Sequence, residues 1–304
     1  MGTTPMLTDS GLETWLIFHK GIDLPDFASF VLLDDADGRT ALAEYFRDHL
    51  AVAAEAGAGI VVETPTWRAN ADWGARLGYD AVALDRVNRD AVAFLRDLAS
   101  EFGDVDVIVS GNVGPQGDGY SPDALLSPEA AEAYHRPQIE SFAAAGADRI
   151  TMLTATHAGE AIGVVQAALG AGLPVVIAFT VETDGALPSG QLLGEAVEEV
   201  DDATGGAALH FGVNCAHPDH FVGSLDPASP GVARLGLLRA NASRMSHAEL
   251  DEAEVLDDGD PVELAAQYAQ VRQKFPHFQV LGGCCGTDVR HVRAIADACI
   301  APSR

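Results

Sequence analysis

Three of the chain's four cysteines stand where they could share one metal ion. Cys215 closes the run Gly212-Val-Asn-Cys215, and Cys284 and Cys285 sit side by side in Gly282-Gly-Cys-Cys-Gly-Thr287. The thiolate is the form of cysteine that binds metals and attacks carbon. Three thiolates make a soft donor set suited to Zn2+ and leave a fourth position open to a substrate. Adjacent side chains on a regular strand point to opposite faces, so neighbouring cysteines can meet one ion only where the backbone leaves strand geometry. Gly282, Gly283 and Gly286 would permit that departure. The competing reading is a set of buried free thiols packed as small apolar groups. Cys299, in the last helical stretch, fits that second reading. Four cysteines in 304 residues do not amount to a disulfide framework.

The elements that must position these residues follow a regular rhythm. Short apolar runs predict strands at Gly59–Glu63, Val105–Ser110, Arg149–Leu153, Pro174–Thr180, Ala207–Val213, Leu235–Arg239 and Phe278–Leu281, with a weaker run at Met6–Thr8. Alanine-rich helical stretches lie between them, among them Thr40–Ala56, Ala81–Phe102, Pro128–Ala145, Ala158–Ala171 and Val262–Lys274. Strands apolar throughout suggest a parallel sheet buried on both faces. Eight βα units predict a closed (β/α)8 TIM barrel, expected as a single domain over residues 1–304, with an open doubly wound sheet as the alternative. Unusual residues follow nearly every strand, which favours the barrel, because its βα loops meet at one face.

Composition excludes several partners. Acids number 45 against 18 bases, for a formal charge of −27. Nucleic acid and anionic membrane surfaces call for a basic footprint that this chain lacks. Apolar runs stay well short of the roughly 18–20 residues of a membrane span. The first twenty residues carry Asp9 and Glu13 and do not read as a signal peptide, so a cytoplasmic location is expected. The partners expected are therefore small molecules. Oligomeric state is left open.

Gly212-Val-Asn-Cys215 followed by Gly282-Gly-Cys-Cys-Gly-Thr287 resembles the signature of the homocysteine S-methyltransferase family. Gly111-Asn-Val-Gly-Pro115 resembles that family's glycine-rich third strand end. Thr64-Pro-Thr-Trp-Arg-Ala69 is similar to its Thr-Asn-Thr-Tyr-Gln-Ala segment, and Asp9-Ser-Gly-Leu-Glu-Thr14 to its opening Asp-Gly-Gly-x-Gly-Thr. The resemblance spans nearly the whole chain. It implies a (β/α)8 barrel with zinc on Cys215, Cys284 and Cys285. It also implies methyl transfer, in methionine biosynthesis, from a small sulfonium or ammonium donor to a thiolate of homocysteine or a related small thiol. Zinc deprotonates a bound thiol outright, and the transfer would be a direct in-line displacement that relies on positioning rather than on a further catalytic residue. Carried over residue by residue, the resemblance implies that Asp9 holds the substrate amine, Asn214 orients the site and Asn241 lines the pocket. Thr66 and Trp67 are expected at the mouth, where an aromatic face suits a cationic donor.

Some positions depart from the family pattern. Leu153 stands where several members carry a glutamate that holds the amino group of homocysteine; Thr154 matches the threonine beside it. Glu160 aligns with a different acid. Ser10 and Glu13 replace glycines, and Glu13 is a candidate for the missing carboxylate. These changes leave the zinc–thiolate chemistry intact and open the acceptor to another small thiol or a selenol. His217, two residues beyond Cys215, is a candidate ligand or pocket residue, although the family uses no histidine ligand. A zinc-dependent thiol-binding or sensor protein without turnover is the alternative function. A zinc hydrolase is disfavoured, because three thiolates donate too much charge to activate water.

Overall fold

The computed structural model describes residues 5–119 and 125–300. In it eight parallel strands close on themselves in sequence order. They are β1 (Met6–Thr8), β2 (Ile60–Glu63), β3 (Val107–Val113), β4 (Arg149–Ala155), β5 (Val175–Phe179), β6 (His210–Asn214), β7 (Leu235–Ala240) and β8 (Val280–Gly283). The seam is β8 against β1, where Met6 pairs with Val280 and Leu7 with Leu281. This is the (β/α)8 TIM barrel that the strand rhythm and the resemblance led one to expect.

Helices α1 (Ala36–Ala56), α2 (Ala81–Ser100), α3 (Pro128–Ala145), α4 (Ala158–Ala171), α5 (Leu193–Thr204), α6 (Pro261–Lys274) and α7 (Val289–Cys299) cover the outside. Their ends follow local chemistry. Asp35, Asp80 and Ser127 accept backbone N–H groups in the first turns of α1, α2 and α3. Gly57, Gly146 and Gly172 close α1, α3 and α4 in the left-handed conformation, which costs glycine least. Between β6 and β7 the crossover is abbreviated to a four-residue helix, Pro218–Phe221, and a 3-10 turn, Val232–Arg234. Pro227 and Pro230 prevent a longer helix there, because each lacks the N–H and clashes with the preceding turn.

All strands but β1 differ from their expected bounds by one to three residues; β6 begins three residues later than expected, and β3 and β8 differ by at least two at both ends. β3 begins at Val107 and runs on through Val113, because Val105 N–H is used in a turn to Phe102 carbonyl. β8 begins at Val280 and includes Gly282 and Gly283. These two glycines keep the ladder with Arg239 and Ala240, so they do not break strand geometry as expected. What excludes a side chain there is proximity. A Cβ on Gly282 would lie 2.3 Å from Thr8 Cγ2, and one on Gly283 2.0 Å from Thr287 Oγ1. The strands are also less uniformly apolar than expected. Glu63, Arg149 and Arg239 are buried within β2, β4 and β7 and meet one another's neighbourhoods across the barrel.

A buried polar cluster fastens β1 to α1. Ser10 N–H donates to Tyr45 Oη at 2.8 Å, and Ser10 Oγ lies 2.8 Å from His49 Nε2. His49 Nδ1 is 2.8 Å from the Tyr45 carbonyl, which can only accept, so that nitrogen carries a hydrogen. Burial pushes the His49 imidazole down to about 4. Between pH 6.5 and 4 the unfolded chain therefore takes up a proton that the folded chain refuses, and stability falls as the pH drops through that window. The full difference is about 3 kcal/mol for this residue. Urea unfolding of the native protein and of His49→Gln at pH 7 and pH 4.5 measures it. The variant should lose markedly less stability on acidification, and equal losses would refute the assignment.

Candidate functional site

The three cysteines meet at the C-terminal rim of the barrel. Their Sγ atoms all lie within 4.8 Å of one another, and Cys215 Sγ is 3.9 Å from Cys285 Sγ. All three are free thiols, as is Cys299. Tetrahedral zinc with bonds of ~2.3 Å separates its sulfur ligands by ~3.8 Å, so the cluster has the donor type and the spacing that zinc requires. Among the described residues no histidine joins the group. His217 instead caps the Pro218–Phe221 helix by accepting Asp219 N–H, and burial pushes it down to about 4.

Backbone geometry explains how adjacent cysteines serve one point. Thr287 N–H donates to the Cys284 carbonyl at 3.0 Å, closing a turn with Cys285 and Gly286 at its corners and Gly286 at φ +78°. That turn rotates the Cys285 side chain to the side of Cys284. Cys215 reaches the same point by adopting φ +55° just past β6, an uncommon conformation for a residue with a side chain. Thr154, within the bulge of β4 between Met152 and Ala155, does likewise at φ +64°. Asn214 ties the two rims together. Its Oδ1 accepts Thr154 N–H at 2.8 Å, and its Nδ2 donates to Thr154 Oγ1 at 2.9 Å and points to Cys284 Sγ at 3.9 Å. Hydrogen bonds from Cys215 and Cys285 hold Cys284 well below the usual thiol range, with help from the Arg239 charge and Asn214.

Beneath the sulfurs lies a buried charge network. The Arg239 guanidinium donates to Asp9 Oδ1, Thr8 Oγ1 and the carbonyls of Ser10 and Gly283. Burial pulls its pKa down, but the charges of Asp9 and Glu63 outweigh that and hold it above the usual arginine value. Asp9 Oδ2 accepts Glu63 N–H at 2.8 Å, and Glu63 faces Arg149 at 3.6 Å. The sequence reading missed this network. The available signal was an arginine or glutamate inside an otherwise apolar strand, since a charge buried there must find a partner.

Two recesses open beside the cysteines. The inner one, about 60 Å3, is lined by Cys215, Cys284, Cys285, Asp9, Glu13 and Leu153, among others. The outer one, about 310 Å3, shares Thr14, Phe27, Trp67 and Cys285 with it. Of the residues expected at the site, Asp9, Asn214 and Trp67 line the inner recess. Thr66 does not. A tight turn from Thr66 N–H to the Thr64 carbonyl sends its hydroxyl to the Asn112 carbonyl, and Thr64 takes its place on the wall. Asn241 also lies behind both walls, with its N–H on the Ala216 carbonyl and its Oδ1 without a partner among the described residues. Trp67 has one ring face covered by its neighbour, the Arg68 guanidinium at 4.3 Å, so that face is not open to a donor. Glu13, half-buried, accepts from Ser29 Oγ at 2.7 Å, and burial raises its carboxyl. Leu153 presents an apolar side chain to the same recess.

Comparison with known proteins agrees with this architecture. A sequence profile described as homocysteine S-methyltransferase matches residues 6–299. Crystal structures of the homocysteine methyltransferase MmuM from Escherichia coli superpose over nearly the whole chain. The oxidized form gives a TM-score of 0.78 at 21% identity, covering 96% of this chain and 95% of that one. The metallated form gives 0.77 at 21% identity, covering 97% and 96%. The apo form gives 0.71 at 20% identity over the same shares. No curated protein matches the sequence. Among the described residues no helix is long and apolar enough to cross a membrane.

Proposed function

Since the chain belongs to the homocysteine S-methyltransferase family and is an S-methyltransferase, we propose that it moves a methyl group from a small sulfonium or quaternary ammonium donor to the sulfur of homocysteine or a related small thiol, using zinc on Cys215, Cys284 and Cys285. The observation that carries this reading is the sulfur cluster itself, three thiols within 4.8 Å at the mouth of the barrel. Zinc bound there would hold the acceptor as a thiolate, and three cysteinate ligands would keep that sulfur electron-rich.

The chain's own residues supply the rest. Asn214 locks Thr154 against the cluster and so fixes the two rims between which the acceptor enters. Leu153 and Phe27 give the inner recess apolar walls that exclude water from the reacting sulfur. Of the three carboxylates there, Asp9 is engaged by Arg239 and Glu63 by Arg149, whereas Glu13, which accepts from Ser29 Oγ and from its own backbone N–H, meets no arginine among the described residues. Glu13 is therefore the group placed to take an ammonium group of the acceptor, replacing the function lost with Leu153. The outer recess carries Asp118, Asp251 and Asp257 against Arg68, together with Phe18 and Phe27. Its excess negative charge and aromatic edges suit a cationic methyl donor.

The zinc-edge X-ray absorption spectrum with and without homocysteine tests the proposal. Three sulfurs around zinc should become four. Three that stay three would remove homocysteine as the acceptor, and purified protein that holds no zinc would overturn the metal assignment. Glu13→Gln should raise the KM for homocysteine about 10- to 100-fold, the range expected for a hydrogen bond to a charged group, with kcat little changed. A KM within twofold of native would remove Glu13 from acceptor binding.

A further inference from the structure

One contact of the cysteine cluster comes from outside the barrel rim. His247 begins the short helix His247–Asp251 in the loop after β7, and its side chain is almost wholly buried. Its Nε2 lies 2.7 Å from the carbonyl of Cys215 and 3.3 Å from Thr180 Oγ1. A carbonyl can only accept, so Nε2 carries the hydrogen and donates it to Cys215. On the other side of the ring Nδ1 lies 3.1 Å from Glu182 Oε1, just beyond β5. Thr180 Oγ1 donates more weakly, at 3.5 Å, to the same Cys215 carbonyl. Two βα loops, those after β5 and β7, thus converge on one peptide group of the loop between them, that of the cysteine whose backbone is held at φ +55°.

The same helix reaches the second recess. Leu250 and Asp251 line the outer cavity, and Cys285 lies in the wall between the two. The helix is held in place by a Ser246–Glu249 capping box. His247 therefore joins the wall of the outer cavity to a residue of the sulfur cluster by a short hydrogen bond.

We propose that His247 is a positioning residue. It clamps the Cys215 carbonyl, keeps the Cys215 sulfur aimed at Cys284 and Cys285, and registers the outer-cavity wall against them. Glu182, whose carboxylate accepts, orients the ring through Nδ1 when that nitrogen also carries a hydrogen. This inference rests on the reading of the three cysteines as zinc ligands. His247 lies outside the three-sulfur cluster and meets it through the Cys215 carbonyl, so loss of the clamp acts through the geometry of Cys215.

The test is zinc affinity by competition with a chromophoric chelator, together with the thiolate-to-metal charge-transfer spectrum of the cobalt-substituted protein. His247→Phe keeps a flat ring and removes the donor. It should weaken zinc about 10- to 100-fold, the usual cost of losing a group that orients a ligand, and should shift the cobalt bands. His247→Gln retains an N–H donor and should recover much of the affinity. Glu182→Leu, on the partly exposed side of the ring, should give a smaller loss in the same direction, and it keeps the clamp testable if His247→Phe does not fold. Zinc affinities for His247→Phe, or for Glu182→Leu in its place, within twofold of native would overturn the clamp. So would equal losses in the Phe and Gln variants, which would trace the effect to packing. A native protein that takes up no zinc would instead sink the metal reading, and this inference with it.

Discussion

Cys215→Ala and Cys285→Ala should each abolish zinc uptake and methyl transfer while the barrel remains folded. The expectation follows from position. All three sulfurs sit beyond the strand ends, Cys215 just past β6 and Cys284 and Cys285 in the turn after β8. Cys215 N–H donates to the Arg239 carbonyl and Cys284 N–H to the Ala240 carbonyl, backbone bonds that an alanine keeps. Removing one sulfur deletes a single small side chain at the rim, a loss on the order of 1 kcal/mol. It also reduces the donor set from three thiolates to two, and zinc affinity depends on every ligand of a tetrahedral site. Metal content by mass spectrometry and the far-ultraviolet circular dichroism spectrum separate the two effects. Full zinc occupancy in both variants would falsify the ligand assignment. Cys299→Ala is the control. Cys299 ends α7, its carbonyl receives Arg272, and its zinc content and activity should match the native protein.

The largest expected loss of stability comes from Arg239→Met. The substitution keeps an apolar stem of similar length and removes the charge that faces Asp9 and Glu63. Arg239 and Asp9 are each about 3% exposed, so no water replaces the guanidinium cheaply. Breaking a buried pair by removing one partner typically costs about 3–5 kcal/mol, because the other charge stays behind. Against total stabilities of about 5–15 kcal/mol, that is a large fraction. The variant also frees the Gly283 and Ser10 carbonyls, which flank the sulfur cluster. Urea unfolding at pH 7 should show the loss, and the double variant Arg239→Met with Asp9→Asn should recover part of it. A single-variant loss below about 1 kcal/mol, or no recovery in the double variant, would show that the pair does not hold the rim.

Much of this site was legible before the fold was known. Asn214, Cys215, Cys284 and Cys285 stand in short glycine-flanked runs directly after strand-like segments, and short-range patterning is the information a linear chain displays best. Leu153 and Glu13 could be marked as departures only against the pattern of the family that the chain resembles. Arg239, Glu63 and His247 were less visible. Arg239 and Asp9 are 230 residues apart, and His247 is 32 residues from the carbonyl it holds. Such pairings depend on which loops the barrel brings together. Thr66 and Asn241 show the same limit at short range, since one tight turn decided that Thr64 and not Thr66 faces the recess.

The sequence by itself determined the number of strands, their parallel order and the identity of the three sulfurs, because apolar periodicity and motif composition are local properties. The tertiary structure alone decided which side chains face the recess, which carboxylate near the sulfurs is left without an arginine, and what holds Cys215 in its left-handed turn. Those outcomes depend on backbone direction at the strand ends and on partners supplied by distant loops, and both are settled only when the barrel closes.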